Sequence, residues 1–117
     1  MVVMQLRFFA GGSSDPTMGL AGLAESTSTL RGCVDSRLYR AVAGAPDLLY
    51  LEYWEDWPSL EAHVRTAQFR RLLKFMELSA RPPELTFFKA TEVQGLEYVE
   101  QVRGLRHRKG GEIRDSH

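Results

Sequence analysis

The chain has 117 residues, 44% apolar and 26% charged, and its fifteen Lys and Arg are balanced by fifteen Asp and Glu. That is the size and composition of one globular domain, and the neutral balance supplies no field that would draw a nucleic acid. No apolar run approaches the ~20 residues of a membrane span, and residues 1–10 are too short and wrongly flanked for a signal peptide. One cysteine, Cys33, rules out an internal disulfide framework and a multi-cysteine zinc site. A reducing compartment, the cytoplasm, is the expected setting.

Residues 2–9 are β-branched, aromatic and apolar and stop at Gly11-Gly12, which predicts a strand. Ser13-Ser14-Asp15-Pro16 predicts a helix start, with Ser14 or Asp15 as cap and Pro16 in the first turn. Leu20, Leu23, Thr27 and Leu30 follow on one helical face, up to a stop at Gly32. Residues 33–42 read as a second strand, residues 43–47 as a turn, and residues 48–55 (Leu-Leu-Tyr-Leu-Glu-Tyr-Trp-Glu) as the strongest strand, so the two form an antiparallel hairpin. Asp56 caps the next helix and Pro58 suits its first turn. Leu60, His63, Val64 and Ala67, then Phe69, Leu72, Leu73 and Met76, keep the helical spacing, as one bent helix or two. Arg81-Pro82-Pro83 ends it. Residues 84–93 read as a fourth strand, and the alternation over residues 96–102 predicts a short additional one.

Charge divides the chain. Residues 103–117 hold five basic and two acidic residues, a net +3, against ten basic and thirteen acidic, −3, in residues 1–102. The last stretch lacks apolar periodicity, so a single domain over residues 1–102 and a basic, flexible tail over 103–117 are expected.

The order β-α-β-β-α-β is that of a ferredoxin-like α+β protomer with an antiparallel sheet. Its helices cover one face of the sheet only. In the third strand Leu49, Leu51 and Tyr53 share one face and Leu48, Tyr50, Glu52 and Trp54 the other, so both faces are largely apolar. A chain this short has no spare layer, and a second copy packed sheet to sheet is the economical cover. A homodimer is expected.

Residues 31–40 from Arg-Gly-Cys to Tyr-Arg, then Leu51-Glu52-Tyr53-Trp54-Glu55-Asp56, Leu60-Glu61-Ala62-His63 and Phe69, together resemble the antibiotic-biosynthesis monooxygenase family of the dimeric α/β-barrel superfamily. The resemblance spans about residues 2–93. It implies a barrel-like dimer, a pocket between sheet and helices in each protomer, and a C-terminal segment, here residues 96–102, that reaches the partner. Members oxidise aromatic polyketides or quinols with O2 and no cofactor, or degrade haem. The positions nearest the haem-degrading pattern are Gln5, His63 and Leu73, which leaves no axial ligand where that branch needs one.

The resemblance implies a cofactor-independent monooxygenase acting on an aromatic, quinol or polyketide-like small molecule; the alternative is a non-catalytic dimeric barrel that binds a small hydrophobic ligand or a protein. His63 lies on the apolar stripe of its helix, and histidine's ordinary pKa near ~6.5 suits it to take a proton from a phenol or quinol. Its plainer role is a helix histidine bonded to a carbonyl or carboxylate. Glu52, on an apolar strand face, needs a donor, and with His63 it would make a carboxylate-oriented base; a structural ion pair is the other reading. Trp54, Tyr50 and Phe69 are candidates to hold a planar substrate, with Gln5 and Arg37 as polar contacts, although core and interface packing must claim most aromatics. No metal-ligand spacing occurs, so no metal is expected, and the resemblance implies that no cofactor is needed. Cys33 reads as a small buried residue, and Gly11-Gly12 lacks the features of a phosphate loop.

Overall fold

The computed structural model describes residues 1–12, 14–45 and 47–104. Ser13 and Pro46, which belong to the expected helix start and turn, and residues 105–117 of the expected tail lie outside the described residues. The elements run β1 (Val2–Phe8), α1 (Thr17–Thr27), β2 (Cys33–Arg40), β3 (Leu48–Trp54), α2 (Trp57–Val64), α3 (Ala67–Met76), β4 (Glu84–Lys89) and α4 (Leu96–Arg103). The strands form one antiparallel sheet in the order β2-β3-β1-β4, the ferredoxin-like arrangement. Among the described residues no helix is long and apolar enough to cross a membrane.

Period-two alternation divides the sheet as the sequence predicts. The helix-covered face carries Met4, Leu6 and Phe8 from β1 and Leu48, Tyr50, Glu52 and Trp54 from β3, all buried. Met4, Leu6, Phe8, Leu48 and Tyr50 pack with Leu20, Leu23 and Ala24 of α1 and Phe69 and Leu72 of α3 into the main core, while Val2, Trp54 and Leu60 make a second cluster under α2. Each buried Leu, Met or Phe side chain among them contributes about 1.5–3 kcal/mol relative to exposure. The open face carries Val3, Gln5 and Arg7 of β1, Leu51 and Tyr53 of β3, Arg37 and Tyr39 of β2 and Phe88 of β4. Its centre, Val3 and Leu51, is buried, whereas Phe88 and Tyr39 remain 42% and 48% exposed.

Caps decide where the later helices begin. The Asp56 carboxylate accepts from the Ser59 amide at 2.9 Å at the start of α2, and the Thr66 hydroxyl accepts from the Phe69 amide at 3.2 Å at the start of α3. That second cap settles the open question of one helix or two, because the chain must turn extended at Thr66 to make it.

Four expectations are corrected. Residues 96–102 are not a strand but the body of α4, since Leu96, Val99 and Val102 also fit one helical stripe and Gly104, with φ +74°, closes the helix as a left-handed cap. The fourth strand stops at Lys89, where its pairing with Val2 runs out. At α1 the N-cap position is held by Pro16, and Asp15 accepts instead from Thr17 one residue inside. The first helix ends at Thr27, well before Gly32, and Leu30 is left 36% exposed.

Gly32 has another role. Its φ is +85°, and a Cβ there would stand 2.6 Å from the Ser59 Oγ at the start of α2. Its carbonyl also accepts from the Glu55 amide at 2.9 Å, tying the head of β2 to the end of β3. A Gly32→Ala substitution is expected to cost about 1–3 kcal/mol through backbone strain, read as a lower thermal midpoint with the far-ultraviolet spectrum unchanged.

Candidate functional site

Alternation along β3 places Tyr50, Glu52 and Trp54 side by side beneath the helices, and the last turn of α2 lowers His63 onto them. Glu52 is fully buried and His63 is 4% exposed. A carboxylate there must be satisfied from within, and it is. The Tyr50 hydroxyl donates to Oε2 at 2.9 Å, the Trp54 indole N–H donates to Oε1 at 3.1 Å, and His63 Nε2 lies 3.4 Å from the same Oε1.

The imidazole is sandwiched. The Trp54 ring lies 4.7 Å away, tilted by 32°, and Phe69, on the first turn of α3, meets it edge-on at 5.7 Å. Because Nε2 faces the carboxylate, the neutral ring carries its proton there, and Nδ1 becomes the acceptor. Nδ1 is buried and has no hydrogen-bond partner. The cluster can therefore offer one lone pair, on a base whose opposite nitrogen is tied to an acid.

Tyr50 is held as a donor. Burial, and then the neighbouring Glu52 charge, push its phenol far above the ordinary tyrosine range, so it stays protonated, while the Ser36 and Thr27 hydroxyls face its oxygen. Cys33 borders the cluster; burial first, then the Glu52 charge, push its thiol up to about 11, which makes it inert at neutral pH.

Of the residues singled out from sequence, His63, Glu52, Trp54, Tyr50 and Phe69 come together. Gln5 and Arg37 do not join them, because their strand positions turn them to the open face. The Arg37 guanidinium donates to Asp35 at 2.9 Å, an exposed local pair. Thr27, Ser36 and Gln68 were not singled out as site residues. Their signal was a polar side chain at an inward-facing position of α1, β2 or α3, which has to find a partner inside. No group of three or more His, Cys, Asp or Glu able to hold a metal occurs among the described residues.

Among the described residues, cavities also lie elsewhere, three of them sizeable. One of about 320 Å³ lies between the Gly11-Gly12 loop, the start of α1 and Arg40, and one of about 570 Å³ lies beside Arg7 and Tyr39. The third, about 360 Å³, is an apolar groove between Trp57 and Val64 of α2 and Phe87 of β4. None of the three is lined by Glu52 or His63.

Comparison with known proteins follows the same outline. The sequence pattern of the family described as antibiotic biosynthesis monooxygenase matches residues 1–74. No curated protein matches the chain. Among solved structures, an antibiotic biosynthesis monooxygenase family protein from Deinococcus radiodurans superimposes with a TM-score of 0.70 at 16% identity, covering 81% of this chain and 97% of that one. Rv0793 from Mycobacterium tuberculosis gives 0.68 at 20% identity, covering 80% and 98%. A mutant of SnoaB, a cofactor-independent oxygenase from Streptomyces nogalater, gives 0.63 at 18% identity, covering 79% and 94%. At these identities the likeness is one of fold.

Proposed function

Because the chain belongs to the antibiotic biosynthesis monooxygenase family, we propose that it oxidises an aromatic, quinol or polyketide-like hydroxyl compound with O2 and without a metal, flavin or haem. The observation that carries this reading is the His63 Nδ1 lone pair, buried and unpartnered, on a ring whose Nε2 faces Glu52. His63 takes the hydroxyl proton on Nδ1, and Glu52 steadies the imidazolium so formed. The electron-rich anion then reduces O2. With a phenol, one oxygen atom enters the ring carbon, the other leaves as water, and a quinone results. The SnoaB likeness supports the chemistry by fold only.

Substrate reaches Nδ1 by displacement of the α2–α3 cover. His63 ends α2, Phe69 begins α3, and the break between them at Arg65–Thr66 is where the cover yields. The working unit is a homodimer in a reducing, cytoplasmic setting. A second copy would cover the exposed Phe88 and Tyr39 of the open face and the apolar side of α4, where Leu96, Val99 and Val102 are 71%, 47% and 55% exposed.

A second reading, a barrel that binds a hydrophobic ligand or protein without turnover, is favoured by one fact: the Glu52–His63 pair is sealed. Oxygen uptake with a panel of hydroquinones and anthrones, on protein without added metal or cofactor, separates the two. The oxygenase reading expects O2 loss and quinone formation proportional to protein. A panel in which compounds raise the melting temperature but consume no O2 would leave the binding reading standing.

A further inference from the structure

We infer that Tyr50 is the positioning residue of the Glu52–His63 pair. This rests on the proposed role of His63 as base. Gln68 of α3 donates to the Thr27 hydroxyl at 2.7 Å. The Thr27 and Ser36 hydroxyls both face the Tyr50 oxygen. The Tyr50 hydroxyl has one hydrogen, and it spends it on Glu52 Oε2 at 2.9 Å.

The consequence falls on His63. With Oε2 held by Tyr50, the carboxylate plane is fixed and Oε1 is presented to Trp54 and to His63 Nε2. Tyr50 thus fixes which carboxylate oxygen faces Nε2, and with it the tautomer that leaves Nδ1 open to the substrate proton. The His63 ring has Glu52 at Nε2, Trp54 across one face and Phe69 edge-on.

The test is the ring nitrogen spectrum of His63 in 15N-histidine-labelled protein at neutral pH, with His63→Gln used to assign its resonances against His107 and His117. Wild type is expected to show one neutral tautomer, protonated at Nε2. In Tyr50→Phe, which preserves the ring, the Nδ1 resonance is expected to move toward the average of the two tautomers, and Thr27→Val should move it the same way by less. If turnover is found, Tyr50→Phe should lower kcat about tenfold and leave KM within twofold. A folded Tyr50→Phe protein whose Nδ1 resonance stays put would overturn the inference; if that variant does not fold, an unmoved resonance in Thr27→Val would do so. The spectrum needs no substrate. A moved resonance in a protein that never consumes O2 would sink the oxygenase reading and leave the positioning role intact.

Discussion

A His63→Ala protein is expected to keep its fold and to lose oxygen uptake by about 10²–10⁴-fold, the range that a general base contributes. The fold should survive because Glu52 retains the Tyr50 and Trp54 donors when the imidazole is gone. What is lost structurally is the ring packed between Trp54 and Phe69, a cavity cost of about 2–4 kcal/mol. Glu52→Gln tests the other half of the pair. An amide fills the same space, its carbonyl can still accept from Trp54, and its NH2 can donate to the Tyr50 oxygen, but the charge that steadies an imidazolium disappears. Its expected loss is about 10–10²-fold. Residues that act as one unit do not add, so the double variant should be no slower than His63→Ala alone. Additive losses would mean that the two groups act separately, and an unchanged rate in folded His63→Ala would remove the imidazole from the chemistry.

The sequence made this pair legible as a pairing but not as an environment. Alternation along β3 put Tyr50, Glu52 and Trp54 on one face, and helical spacing put His63 on the apolar side of α2; those two periods suffice to bring the four together. They do not say how tightly. That Glu52 is fully buried, and that Tyr50 serves it as a donor, depends on α1 and α3 closing over the sheet, where Thr27 and Gln68 meet across forty-one positions of sequence. Gln5 and Arg37 show the same limit from the other side. Their strands were found, but the face to which each residue turns follows only from the register with β3. The misread segment, residues 96–102, has a physical reason as well. Leu96, Tyr98 and Val102 satisfy a period of two about as well as Leu96, Val99 and Val102 satisfy a helical one, and α4 buries none of its residues.

The open face of the sheet gives the other large effect. Phe88→Asp and Tyr39→Asp are each expected to convert a dimer of the 13.3 kDa chain, at micromolar concentration, into a monomer that melts close to wild type. Both side chains lie on the open face, on β4 and β2, at opposite edges of the sheet, with 42% and 48% of their surface exposed in the single chain. Replacing them therefore removes little that the protomer itself uses. In a dimer packed sheet to sheet the same positions would be desolvated, and a carboxylate there would sit against the partner's sheet without a donor. An aromatic interface anchor carries about 2 kcal/mol of binding, which is roughly a thirtyfold weaker association before the buried charge is counted. Leu51 makes a poorer probe despite its central place, since at 8% exposure it is already part of the protomer's own packing, and its loss would confuse unfolding with dissociation. Sedimentation velocity on wild type and both variants decides the matter. A wild-type protein that sediments as a single chain at micromolar concentration would mean that the sheet face is left to water, with Val3 and Leu51 screened only by their own neighbours.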